Sequence, residues 1–200
     1  MEYKIIKAGD IIVSSPYAEN GLIFHKSVIL IISHDKTGTS GVLVNKLISK
    51  VDSNTILKTL NLPIIKGIDF PVNLSVYFGG PIEPEKGILI HSNDYIGQPI
   101  ARVTEEISIS ADSKIIADIL ALQGPKHKMM VLGYAGWRPG QLMDEIKHDD
   151  WLVLTNKEEE NLHSSNFNLI FGSDDLYKWN KALKLSGIHL SNYAHIPGNA

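Results

Sequence analysis

One decapeptide constrains this chain more than any other stretch: Gly133-Tyr134-Ala135-Gly136-Trp137-Arg138-Pro139-Gly140-Gln141-Leu142. The apolar run Met129 to Leu132 leads into it and reads as a buried strand. Gly133 and Gly136 permit tight or left-handed backbone that residues with a Cβ resist, as a glycine turn requires. Pro139 lacks an N–H and suits a first helical turn. Leu142 and Ile146, four apart, give the following helix one apolar stripe, and Asp144 and Glu145 place negative charge in its early turns. Trp151 to Leu154 reads as the next strand. The stretch is therefore expected to be strand, glycine turn and short helix. It presents Tyr134, Trp137 and Arg138 beside a helix N-terminus.

The rest of the chain supplies mostly strands first and helices later. Ile11 to Val13 and Ser27 to His34 read as strands, the second apolar on both faces and hence central. Gly41 to Asn45 follows a turn at Lys36 to Gly38 and is expected to pair antiparallel with it. Ser53 is expected to cap a helix using Ile56, Leu57 and Leu60, and Pro63 and Pro71 to bracket a loop. Val76 to Phe78 and Gly87 to His91 read as strands joined through Gly79-Gly80-Pro81 as a hairpin. Ile107 to Ser110 alternates with period two, and Ser110 or Asp112 caps a helix buried through Ile115, Ile116, Ile119, Leu120 and Leu122. Asn156 to Asn168 reads as an exposed loop or frayed turn, and Leu169 to Phe171 as a short strand. A last helix begins at Ser173 to Asp175, turns Leu176, Trp179 and Leu183 inward and ends at Gly187; the tail from Ser191 has little periodicity. Trp137 and Trp179 are expected to be structural, closing a corner and a helix face. This mixture argues for an α/β (α+β) protein with a mixed sheet. We expect one domain over residues 1–200, with a two-lobed division left open.

Composition removes several classes of function. At 44% hydrophobic and 20% charged, the chain is globular, not disordered. Its net charge of -3 gives no overall electrostatic footprint for duplex DNA, and no two abutting helices offer a basic recognition helix. There is no cysteine, which removes thiol chemistry and cysteine-based zinc sites. The eight histidines are scattered without metal-ligand spacing. No cofactor fingerprint occurs, and Gly38-Thr39-Ser40-Gly41 lacks the spacing of a nucleophile elbow by one residue. The N-terminus has no signal-peptide core, and no run approaches membrane-spanning length, so a cytoplasmic protein is expected.

What remains is a set of polar or glycine-tipped strand ends, where ligands bind in α/β sheets. The candidate ligand-binding set is Gly79, Gly80, His91, Tyr134, Trp137, Arg138 and Gln141. The glycines would admit a ligand to the main chain. Arg138 offers a planar fork to a carboxylate or phosphate, and His91 a donor or a proton. Each residue alone has a plainer reading. His91 suits a satisfied core histidine, Asn45 one that fixes its own backbone, and Arg138 a surface ion pair.

The same residues resemble the AlgH/YqgE family. Its opening resembles Gly9-Asp10-Ile11-Ile12-Val13-Ser14-Ser15-Pro16, followed by Ser27-Val28, His34 and the Gly41 to Asn45 strand. Gly79-Gly80-Pro81, Leu89 to Ser92, Gly133 to Leu142 with Glu145, Trp151-Leu152, Trp179, Ala182 and Gly187-Ile188 complete the order. Three places depart from the pattern: Ala18 to Phe24, the long Asn156 to Asn168 connection, and Asn199, where a histidine is common. The resemblance implies a bacterial protein whose sheet is bifurcated and barrel-like, with flanking helices. It implies no established reaction and no catalytic residue, although members carry the label of transcriptional regulator. The leading expectation is a non-catalytic binding or regulatory protein that holds another protein or a small anionic ligand without gripping DNA directly. The alternative is an enzyme or small-molecule sensor with an anionic ligand at the glycine loops. No metal and no cofactor are expected.

Overall fold

The computed structural model describes residues 5–18, 21–52, 54–55, 73–154 and 162–187. The expected helix from Ser53 through Leu60, apart from Asn54 and Thr55, the Pro63 to Pro71 loop, residues 156–161 of the Asn156 to Asn168 connection and the tail from Ser191 lie outside the described residues.

Among the described residues ten strands form one hydrogen-bonded sheet, with main path β10-β1-β2-β3-β9-β6-β8-β7. These are β1 (Ile11–Ser14), β2 (Val28–Asp35), β3 (Gly38–Leu43), β6 (Ile82–Ser92), β7 (Ala101–Arg102), β8 (Ile107–Ser110), β9 (Lys128–Trp137) and β10 (Trp151–Leu154). Off the path, β4 (Leu47–Asp52) pairs with β5 (Asn73–Phe78), and β5 pairs with β9. All pairings are antiparallel except that of β5 with β9. The helices are α1 (Gly21–Phe24), α2 (Ser113–Leu120), α3 (Gln141–Lys147), α4 (Leu162–Phe171) and α5 (Asp175–Leu185).

The sheet forks at β9. One edge of this long strand carries β6. The other is shared in tandem: β5 takes Met130 to Leu132, and β3 takes Ala135 to Trp137. The bifurcated sheet that the family resemblance implied is thus present. The fork also overturns the expected β5–β6 hairpin. The two strands lie on opposite edges of β9, and Gly79-Gly80-Pro81 carries the chain across it. That crossing leaves no room for side chains. A Cβ on Gly79 would strike the carbonyl of Gly133, and one on Gly80 would lie within the main chain of Tyr134. Gly133 takes the left-handed backbone expected of it, but within a strand rather than in a turn. It stays in β9 at φ +72, and a Cβ there would strike the Gly80 carbonyl.

Three clusters of apolar side chains fill the two faces. Alternation along β2 divides its residues: Val28 and Leu30 enter the largest cluster, under α4 and α5, while Ile29 and Ile31 enter the second, under α3. Such division is what an apolar-on-both-faces strand requires. The third cluster packs Ile115, Ile116, Ile119 and Leu120 of α2 on Leu74 and Leu89. Asp112 caps α2 by accepting from Lys114 N at 2.8 Å, as one of the two candidate caps. Leu122 is exposed, at φ +60 just past the helix, not on its buried side.

Other differences have local causes. Leu169 to Phe171 is the last turn of α4, not a strand, so the polar stretch before it is helical from Leu162. In α5 Trp179 and Leu183 are buried as expected, but Leu176 is 83% exposed and its inward place is taken by Lys178. The turn after β9 is Arg138-Pro139-Gly140-Gln141, closed by Gln141 N donating to Arg138 O at 3.0 Å. Gly140 at φ 81, ψ -23 gives it type II geometry, so Pro139 stands at a turn corner one residue before the helix cap rather than inside the helix. Strands β4 and β7 and helix α1 went unread because they are short or lack apolar alternation.

Candidate functional site

Where β4, β5 and the start of β9 meet the end of α4 and the first turn of α5, a cleft of about 810 Å3 opens. Its floor follows from register. Lys50 of β4 lies opposite Ser75 of β5, and Leu47 opposite Tyr77. Met129 lies beside them at the start of β9, and Ile170, Phe171 and Leu176 supply apolar walls.

Charge sets this cleft apart. Lys46, Lys50, Lys128 and Lys178 line it against Asp174 and Asp175, in a chain of net charge -3. Both aspartates are already engaged. Asp174 caps α5 by accepting from Leu176 N at 3.0 Å. Asp175 accepts from Tyr77 Oη at 3.0 Å and pairs with Lys178 at 2.8 Å. Lys178 is fully buried, donates to Val44 O at 2.8 Å and lies 5.2 Å from the centre of the Tyr77 ring. Burial pushes the Lys178 ammonium below its ordinary value despite the Asp175 carboxylate, and burial together with Asp175 pushes the Tyr77 phenol up.

Lys46 and Lys128 are placed differently. Each is partly buried and donates to a backbone carbonyl, His25 O and Pro125 O respectively. Neither makes an ion pair among the described residues. Desolvation lowers the pKa of both; Lys26 adds repulsion at Lys46, while the Asp94 carboxylate partly offsets the shift at Lys128. Two desolvated ammonium groups, neither in an ion pair among the described residues, beside an apolar wall, suit an anion-bearing molecule.

The sequence-selected residues do not form one concavity. His91 pairs with Lys128 at the first residue of β9, whereas Arg138 follows its last. Ten residues of extended chain separate the two ends by roughly 30 Å. Gly79 and Gly80 approach main chain at the fork, so the space expected for a ligand is filled by backbone. Tyr134 is partly buried and pairs with Ile82. Arg138 is exposed and makes no ion pair among the described residues. Asn45 clamps a neighbouring strand rather than its own backbone, accepting from Val28 N at 2.9 Å and donating to Lys26 O at 2.8 Å.

Trp137 and Gln141 do meet, around Glu145. One carboxylate oxygen accepts from the indoles of Trp137 at 2.7 Å and Trp151 at 2.8 Å; the other accepts from Gln141 Nε2 at 2.9 Å. The two indoles meet edge to face at 6.0 Å. The tryptophan corner is therefore an internal polar lock, and Trp137 is buried.

The cleft lysines escaped the sequence reading because they are spread from residue 46 to 178 with no shared spacing. The one available signal was Lys178, at the position of α5 that the helical period assigns to the core.

The comparisons agree with this architecture. A family model for AlgH-like proteins matches residues 11–191. A UPF0301 protein of Rickettsia africae is 34% identical over 193 residues, covering 96% of this chain and 95% of its own. One from Rickettsia typhi is likewise 34% identical over 193 residues, with the same coverage. Among solved structures, AlgH from Pseudomonas aeruginosa superposes with a TM-score of 0.68 at 22% identity over the whole of both chains. A Corynebacterium diphtheriae protein gives 0.66 at 22% identity, covering 98% of this chain and 95% of the other. The fold is that of these neighbours, and the chain belongs to the AlgH-like family.

Proposed function

We propose that this chain is a binding protein for a metabolite-sized molecule that joins a carboxylate or phosphate to an apolar portion, held in the lysine cleft. The observation that carries the reading is the pair Lys46 and Lys128: partly buried ammonium groups in no ion pair among the described residues, with Asp94 only partly offsetting the desolvation of Lys128, on a cleft whose own acids are committed. An anion placed between them would restore charged hydrogen bonds at each. Met129, Phe171 and Leu176 would cover its apolar part. The ligand class is the anionic one expected from the strand ends, moved from the glycine loops to the opposite end of β9.

The test is an amide NMR titration of the full chain with inorganic phosphate and with phenyl phosphate. Amides of residues 46–50 and 173–178 are expected to move saturably, and phenyl phosphate to bind more tightly than phosphate. A charged hydrogen bond contributes about 1.5–3 kcal/mol, so Lys128→Gln is expected to weaken binding by about tenfold or more. Unmoved amides at about 10 mM phenyl phosphate, an affinity of less than about 3 kcal/mol, would sink the reading.

A further inference from the structure

A second concavity of about 410 Å3 lies between the Tyr95 to Gln98 segment and the start of α2. Ser110, the last residue of β8, lines it. Its Oγ is 3.0 Å from His91 Nε2, and His91 Nδ1 is 3.0 Å from the carbonyl oxygen of Ser92. Sheet register brings the two side chains together. His91 lies opposite Ser108, so Ser110, two residues on, is its diagonal neighbour on the same face.

The hydrogen bonds fix the protons. A carbonyl oxygen only accepts, so Nδ1 carries the hydrogen of the neutral ring. Nε2 is then a free base, and the Ser110 hydroxyl donates to it. Burial favours the neutral imidazole, lowering its pKa. The Tyr95 ring meets the imidazole edge to face at 5.8 Å and forms another wall of the pocket. Ser110 also stands at a strand-to-helix corner, two residues before the Asp112 cap of α2. Lys114 and Ile115 of that helix line the same pocket. Serine, oriented base and adjoining concavity together make the arrangement of an activated hydroxyl.

We propose that Ser110 and His91 are a nucleophile–base pair that hydrolyses small carboxylic esters in this pocket. Ser110 Oγ bonds to the ester carbonyl carbon while its proton passes to His91 Nε2. Collapse breaks the bond to the alcohol oxygen, which leaves with that proton, and the acyl group stays on Ser110. Water then gives a proton to Nε2 as its oxygen bonds to the acyl carbon. The acid departs and Ser110 recovers the proton, so that ester and water yield acid and alcohol. The group orienting the imidazole is the Ser92 carbonyl, a dipole and not a carboxylate. It stabilises imidazolium less than the third member of a full triad does, so turnover is slow. Tyr95, Ile96 and Ile115 favour a short apolar acyl chain. This activity uses a pocket apart from the lysine cleft and is independent of binding there.

The test exposes the full-length protein to a fluorophosphonate probe and maps the adduct by tandem mass spectrometry. One adduct is expected, on Ser110, with a burst of nitrophenol from p-nitrophenyl acetate. His91→Asn is expected to slow labelling by about 100-fold or more, the usual contribution of a general base. An unmodified protein after prolonged exposure to excess probe overturns the proposal, as does an adduct on any other residue. Both readouts use the unaltered chain, so they decide the matter even if a variant fails to fold.

Discussion

A single carboxylate can decide what a tryptophan does. Trp137 stands in the most conspicuous string of the sequence, at a place suited to greeting a ligand, yet its indole N–H is spent on Glu145. Lys178 makes the same point in reverse: a lysine on an inward helical position is kept because Asp175 and the Val44 carbonyl receive its protons. His91 is a third case, and its protonation has a consequence for stability. Burial lowers its folded pKa below the ordinary value of 6.5. Between that folded value and 6.5 the unfolded chain binds more protons, so stability falls as pH drops through this window. Thermal melts between about pH 7.5 and 5 are expected to show a smaller loss of Tm in His91→Asn than in the parent, once both are referred to pH 7.5. Identical slopes would mean that His91 does not titrate against folding. At this scale the sequence revealed residue types but not partners. His91 was legible as a buried, hydrogen-bonded histidine, whereas Lys46 and Lys128 looked like any solvated lysine, because nothing local records that residues 82 positions apart share a cleft.

Elements were legible where period and caps are local, and illegible where pairing is chosen at a distance. Strands β1, β2, β8 and β10 and helices α2, α3 and α5 all carry their own signals of alternation, stripe or cap. The β5–β6 hairpin failed because its turn residues serve a crossing. Gly79-Gly80-Pro81 has the composition of a tight turn, but β9 occupies the space between the arms. The triplet Leu169 to Phe171 was too short for period to separate strand from helix. The crossing separates two kinds of glycine experimentally. Gly140 has φ 81 and open space around its missing Cβ, so Gly140→Ala is expected to cost only the left-handed penalty of about 1–2 kcal/mol. Gly80, at φ +155, has the Tyr134 main chain where its Cβ would go. Gly80→Ala is therefore expected to cost at least twice as much, since backbone must move. Urea denaturation of the two variants measures the difference; equal midpoints would show that the crossing is loose.

At the scale of the molecule, four lysines gather on one small cleft. The net charge of -3 gives no overall electrostatic footprint for a phosphate backbone, and α3, which follows the fork, carries Asp144 and Glu145. Duplex DNA is accordingly expected to show no saturable sub-micromolar binding by fluorescence anisotropy at moderate salt. Tight, salt-sensitive binding would return the regulator reading to literal DNA contact. Among the described residues no helix is long and apolar enough to cross a membrane. The fork at β9 has one more consequence, and it concerns time. Strands β5 and β6 emerge from synthesis as neighbours, but their shared partner begins at Lys128, 36 residues after β6 ends at Ser92. Until that segment exists, the two arms have each other as the nearest mates, in a pairing the finished sheet forbids. The nascent chain must hold them apart or undo their early union, and only the arrival of Gly133 beneath the Gly79-Gly80 crossing makes the separation permanent. The pairings of β5 and β6 with β9 thus close only once the late strand is made, which places them among distant contacts and not local turns.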